Sequence, residues 1–198
     1  MKKTPLLPVL VLASTSLHAN TGHFYVSPAL YLQTVSAEHS NYFGYLPELS
    51  AGYDKKWEKY YLSGEVFVVP FSGTLHNSVN PQATSTDTAS GFGASVLPGV
   101  LITARSVGFL RAGLIQMRFA GPNRAATGAQ LGIGLLTPMS DTWDFRAEYV
   151  YTTYRSVTDL GSPTSNMIGA GLVYHFDPVE TIKEQVAQLT LPPQQRSG

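Results

Sequence analysis

Trp143-Asp144-Phe145-Arg146-Ala147-Glu148-Tyr149-Val150-Tyr151-Thr152-Thr153-Tyr154 reads as two interleaved sequences. Phe145, Ala147, Tyr149 and Tyr151 fall on one parity, and Arg146, Glu148 and Thr152 on the other. Side chains of an extended chain point alternately to opposite faces, so this stretch is a ribbon with one apolar and one charged side.

The same period of two recurs along the chain. Phe24, Val26, Pro28, Leu30 and Leu32 oppose Tyr25, Ser27, Tyr31 and Gln33. Leu62, Gly64, Val66 and Val68 oppose Ser63 and Glu65, and Leu131, Ile133 and Leu135 oppose Gln130, Gly132 and Gly134. The candidate strands are Gly22–Thr34, Tyr45–Lys55, Lys59–Pro70, Gly91–Ile102, Gly108–Phe119, Ala129–Thr137, Trp143–Tyr154 and Asn166–Phe176. Each reaches or slightly exceeds the roughly 9–11 residues of a tilted transmembrane strand.

A soluble sandwich would alternate in the same way, so the connections decide. Tight turns at Lys56–Glu58, Thr103–Val107 and Pro138–Thr142 alternate with longer connections at Val35–Gly44, Phe71–Ser90, Ala120–Gly128 and Arg155–Ser165. Short turns on one side and long loops on the other are the rule for outer-membrane barrels. Aromatics fall at both ends of the strands. Phe24, Tyr53, Trp57, Tyr60, Phe109, Trp143, Tyr174 and Phe176 are expected near the inner rim, and Tyr45, Phe71, Phe92, Phe119, Tyr151 and Tyr154 near the outer one. Rings with a polar edge favour the two membrane interfaces. The expected fold is all-β, an eight-stranded antiparallel up-and-down transmembrane β-barrel over residues 20–176. An even strand number places both chain ends on the periplasmic side.

Composition agrees. Charged residues are 13% of the 198-residue chain, against about 25% in soluble domains. The formal charge is zero without a basic block, so nucleic-acid binding has no electrostatic footprint. There is no cysteine, hence no disulfide, thiolate ligand or thiol nucleophile. The histidines, His18, His23, His39, His76 and His175, are scattered; none makes a metal pair at helical spacing, and no metal or cofactor is expected.

Residues 1–19 open on Lys2-Lys3, continue through an apolar run from Pro5 to Ala13 and end in Leu17-His18-Ala19. That order is a secretory signal peptide, with the cut expected after Ala19. The run is shorter than the ~20 residues that span a bilayer, and prolines interrupt it. The chain is therefore expected to be exported.

Three stretches resemble the OmpA/OmpX-type family of small outer-membrane β-barrels: Ser95-Val96-Leu97-Pro98-Gly99 with Gly108-Phe109-Leu110-Arg111-Ala112-Gly113; Asp144 to Tyr151; and Ile168-Gly169-Ala170-Gly171-Leu172-Val173-Tyr174-His175-Phe176. The resemblance implies an integral outer-membrane protein of a Gram-negative cell, in contact with outer-membrane lipids and lipopolysaccharide. It also implies a closing strand, marked by Ile168, Leu172, Tyr174 and Phe176, that the barrel-assembly machinery reads. One departure is the tail over 177–198, where the family's aromatic usually ends the chain. Val179, Ile182, Val186 and Leu189 have helical spacing, and Pro192-Pro193 would stop such a helix.

The inward faces propose a polar network of Glu48, Glu65, Arg111, Arg146 and Glu148, with Tyr31, Gln33 and Gln130. Away from water such charges must pair. A structural core is one outcome; a narrow pore opened by rearranged ion pairs is the other. The enzyme candidate is His76-Asn77-Ser78, where imidazole could activate a hydroxyl as in lipid A deacylases. No correctly spaced carboxylate orients that histidine, and His39-Ser40-Asn41 is weaker still. The expected role is non-enzymatic, structural or surface-interacting through polar loops such as Ser72–Ser90, with an unknown surface ligand. A passive channel and a lipid A-modifying enzyme are the alternatives.

Overall fold

Alternation and tight turns produce a closed ring in the computed structural model, which describes residues 22–37, 40–71, 74–77, 86–103, 105–119, 124–155 and 162–176. The expected leader over 1–19 and tail over 177–198 lie outside the described residues. The strands are β1 (Gly22–Ala37), β2 (Ser40–Trp57), β3 (Tyr60–Val69), β4 (Thr74–Asn77), β5 (Thr86–Leu101), β6 (Val107–Phe119), β7 (Arg124–Pro138), β8 (Trp143–Tyr154) and β9 (Thr164–His175). All pairings are antiparallel. The wall runs β1-β2-β3-β5-β6-β7-β8-β9, and β9 returns to β1 from Tyr25↔His175 to Ser36↔Thr164. The fold is thus the closed eight-stranded up-and-down barrel read from the sequence. The short β4 stands at the loop end, paired with β2 and β5.

The strand ends differ from expectation. Val35–Gly44 is mostly ladder rather than loop, because β1 and β2 stay paired out to Ala37↔Ser40. Likewise β5 starts at Thr86 and β7 at Arg124, ahead of the expected Gly91 and Ala129. Apolar alternation tracks only the part of a strand that faces hydrocarbon. Backbone pairing needs no apolar side chain and continues past it. At the other rim Trp57 pairs with Tyr60, leaving the two-residue turn Glu58-Lys59, with Glu58 at φ 52°.

Along β3 and β8 exposure alternates residue by residue, so the two parities become two surfaces. Leu30, Val66, Leu110, Leu114, Leu131, Ile133 and Ile168 face outward as an apolar belt. Phe24, Tyr53, Tyr60, Trp143 and Phe176 are exposed toward the turn rim, and Phe43, Tyr45, Phe71, Phe92 and Tyr151 toward the loop rim. Two rings expected in these bands are not there. Phe109 and Tyr154 are buried inside the barrel, because they share the inward parity of Arg111 and Thr152 respectively. The side chain of Phe119 lies outside the described residues.

Inward rings find room because glycine sits directly across the ladder from them. Gly52 pairs with Tyr25, Gly93 with Phe67, Gly134 with Phe109 and Gly169 with Tyr31. A Cβ on Gly134 would lie 2.3 Å from the Phe109 ring, and one on Gly169 2.2 Å from that of Tyr31. Matching large to small across the pleat fills a narrow barrel without forcing its wall apart. Gly134→Val is expected to destabilise the barrel by about 1–3 kcal/mol through overpacking, read as a lower temperature for loss of the fast-migrating unboiled band on gels. Gly64→Ala, at a site with no atom within 4 Å of the added carbon, should leave that temperature unchanged.

Candidate functional site: a filled interior and a polar turn rim

The inward face is stacked in three layers. Toward the loop rim Tyr31, Leu46, Phe67, Val69, Ile115, Met117, Ala126, Val150, Tyr154 and Met167 pack as one cluster. Toward the turn rim Tyr25, Tyr61, Leu97, Val107, Phe109, Leu136 and Val173 form a second. Between them lies an ionic layer containing all five charged residues expected inside, Glu48, Glu65, Arg111, Arg146 and Glu148, each buried.

Arg111, from β6, reaches three carboxylates drawn from three other strands: Glu48 at 3.2 Å, Glu65 at 3.0 Å and Glu148 at 3.0 Å. Arg146, from β8, donates to Glu65 at 2.8 and 3.1 Å and lies 3.1 Å from Glu148. Arg111 Nε adds a bond to Ser95 Oγ at 3.0 Å. Glu65 receives the Tyr25 hydroxyl at 2.9 Å, and Glu148 receives the Tyr31 hydroxyl. Both tyrosines keep their rings in an apolar layer and their hydroxyls in the ionic one. The guanidinium carbon of Arg111 lies 4.8 Å from the Phe67 ring centroid, and that of Arg146 lies 5.3 Å from that of Phe109. Each arginine therefore rests against a ring of a different apolar layer, where a desolvated cation–π contact is worth about 2 kcal/mol.

Chemically the layer behaves as a clamp. A guanidinium presents a planar fork of donors that suits several carboxylates at once. Among the described residues the ionic layer is bracketed by the two apolar clusters. Gln33 and Gln130, the other inward polar residues expected, sit nearer the loop rim, bonded to Ser165 at 2.9 Å and Thr152 at 3.4 Å.

The remaining expected sites fall partly outside the described residues. His76 lies in β4 opposite Phe43, and Ser78 lies outside the described residues, as does His39. Ile168, Leu172 and Phe176 face outward on or just beyond β9, while Tyr174 is partly covered.

The turn rim holds a cluster that linear spacing does not reveal. His23 and His175, distant in sequence, stand 5.9 Å apart between ring centroids. Asp54 lies between them, 3.9 Å from His23 Nδ1 and 3.8 Å from His175 Nδ1. Asp144 holds the far nitrogen of His175 at 3.1 Å and stands 3.8 Å from Lys56 Nζ. The expectation that the histidines are scattered is corrected for this pair: barrel closure brings the two chain ends together, a relation no local period encodes. The available signal was the parity shared by His23 with Tyr25 and by His175 with Val173, once β1 and β9 are taken as neighbours.

A ring of strands that turns apolar side chains outward, brackets them with aromatics and buries Glu48, Glu65, Arg111, Arg146 and Glu148 at mid-height is a membrane-embedded barrel. The chain belongs to the outer membrane protein beta-barrel domain family, whose model matches residues 4–176. Among solved structures it is similar to Neisserial surface protein A, NspA (TM-score 0.59, 19% identity, covering 77% of this chain and 97% of that one). It is also similar to Ail, the attachment invasion locus protein of Yersinia pestis (TM-score 0.48, 18% identity, 77% and 99% covered). At these identities the likeness is one of fold. No curated protein matches the chain.

Removing one partner from the ionic layer should cost far more than rebalancing it. Arg111→Met leaves Glu48 without its guanidinium and is expected to lower stability by about 3–5 kcal/mol, the usual cost of an uncompensated buried charge. Glu48→Gln keeps the shape and equalises the remaining carboxylates and guanidiniums, so it should cost about 1 kcal/mol or less. Urea unfolding in lipid vesicles, followed by tryptophan fluorescence, distinguishes the two.

Proposed function

We propose that this protein is a non-conducting outer-membrane barrel that presents its loop rim at the cell surface for contact with extracellular molecules. The observation that carries this reading is the filled interior. Apolar layers above and below an ion-paired layer fill the described interior, which points to the wall and the rims as the surfaces on which the protein acts. Opening a path would mean breaking several buried charge-assisted bonds at once. The orientation follows from family habit: the turn rim, with Gly22 and Phe176, faces the periplasm, and the belt meets outer-membrane lipids and lipopolysaccharide. The closing-strand residues Ile168, Leu172, Tyr174 and Phe176 are the assembly signal read by the barrel-assembly machinery.

The wall is built for reach on the loop side. β2 has 18 residues, whereas a tilted membrane strand needs roughly 9–11. The excess, together with β4, extends the β1–β2 edge beyond the belt. A rigid hairpin held above the lipid is a suitable platform for the polar residues 72–90, since recognition is commonly carried by loops on a stiff scaffold.

Planar bilayers containing the purified barrel should show no conductance above protein-free membranes; stable steps would establish the channel reading instead. Cells producing the protein should retain immobilised serum or matrix proteins that cells bearing a short turn in place of residues 78–85 do not. Lipid A from cells with the protein, without it and with Ser78→Ala should give one and the same mass spectrum.

A further inference from the structure

We propose that His23, Asp54 and His175 form a binding site for a divalent transition-metal ion of the zinc type, a clasp across the seam where the barrel closes. Three adjacent strands contribute. His23 is paired with Asp54 in the β1–β2 ladder, and His175 ends the β1–β9 ladder opposite Tyr25, one inward position along from His23. All three side chains face inward at the turn rim. Their candidate ligand atoms lie within 4.8 Å of one another.

The donor states favour a cation. Asp54 is fully buried, yet neither carboxylate oxygen has a hydrogen-bond partner of normal geometry. A carboxylate is an acceptor with several lone pairs, and leaving it buried and unbonded is costly. His175 Nδ1 is likewise buried without a partner and aimed at Asp54, while its other nitrogen is held by Asp144. A carboxylate accepting one imidazole N–H fixes the tautomer and leaves the opposite lone pair for a metal, the usual arrangement around zinc-bound histidine. Asp144 is engaged by His175 and approached by Lys56, so it acts as the orienting carboxylate rather than as a ligand.

Size and chemistry fit as well. The Asp54–His23 and Asp54–His175 separations of 3.9 and 3.8 Å are too long for direct hydrogen bonds. Ligand atoms around a tetrahedral zinc, each roughly 2.0–2.2 Å from the ion, stand about 3.3 Å apart. Small side-chain rotations close that difference, and His23, which is about a third exposed, is free to make them. Two imidazole nitrogens with one carboxylate oxygen suit a borderline ion such as zinc, cobalt or nickel better than calcium or magnesium. A cavity of about 200 Å³ lined by His23, Lys56, Asp141, Asp144, His175 and Phe176 opens beside the two histidines, with Asp54 behind them, and gives an approach from the rim.

The test uses the full mature chain, without affinity tag, refolded in detergent. Cobalt should bind at one equivalent with the visible absorption of a low-coordinate site, and zinc should displace it. His23→Ala, Asp54→Asn and His175→Ala are each expected to weaken binding at least tenfold, and Asp144→Asn by about 10–100-fold. His76→Ala serves as the unaffected control. Zinc should also raise the temperature at which the fast-migrating unboiled band is lost, relative to chelator, and His23→Ala should abolish that rise. His23 lies at the rim outside the packed layers, so this variant still folds and keeps the test decisive if His175→Ala does not. No stoichiometric binding at neutral pH, equal binding by Asp54→Asn, or a stabilisation that follows pH but not zinc would overturn the proposal.

Discussion

The structure depends on the ladder between β1 and β9. In hydrocarbon no water is available to an unpaired N–H or C=O, so an open sheet edge is not tolerated there and the last strand must return to the first. With eight strands that closure leaves a bore narrow enough for side chains to fill. Everything inside follows from that diameter. Rings as large as Tyr31 and Phe109 fit only because their direct ladder partners are Gly169 and Gly134. Charges inside have no bulk solvent, so the guanidiniums find carboxylates across the bore, Arg146 adding Glu148 from its own strand. Arg111 meets Glu48, Glu65 and Glu148, on strands β2, β3 and β8.

This clamp is a specifying device as much as a stabilising one. Slipping a strand by one residue moves every inward side chain to the lipid face. A slip of β6 would carry Arg111 into hydrocarbon, and a slip of β8 would expel Arg146 and Glu148 together. Apolar layers alone would resist such slips weakly, since outward leucines and inward valines are interchangeable in lipid. The ionic layer penalises one-residue slips of the four strands that carry it, β2, β3, β6 and β8, which makes the buried charges determinants of their register.

Much of this was legible in the chain. Parity along Trp143–Tyr154 separated Arg146 and Glu148 from Phe145 and Tyr149, and the turn rhythm separated a barrel from a sandwich. What parity could not supply was depth. Position near strand ends suggests the rims for Phe109 and Tyr154, although their own parity puts them inside. Aromatic chemistry suits an interface and a glycine-backed interior equally well, and the choice is made by the partner strand, which the local sequence does not name. The extent of β1 and β2 was hidden for a related reason: beyond the lipid belt both faces are wet, so the pattern fades while the backbone ladder continues. The His23–Asp54–His175 cluster was hidden more deeply still, because it exists only when the two ends of the chain are adjacent.

That adjacency also explains why the seam is the place where an added bond would matter most. Every other strand pair in the wall is joined by a connection of the chain, which keeps its partners at high effective concentration. β1 and β9 are joined by none, and their pairing carries the full entropic cost of closing the longest loop in the molecule, although that cost grows only slowly with length. A metal ion bridging His175 on β9, Asp54 on β2 and His23 on β1, as proposed above, would lock the terminal strand to its neighbour and to the strand beyond, and would resist fraying where fraying would begin. The ionic layer cannot do this, since it sits at mid-height and draws no charged residue from β1 or β9. The seam therefore divides its work: the ladder seals it in the membrane, Tyr31 ties it to Glu148 in the core, and the rim cluster stands where the ladder ends.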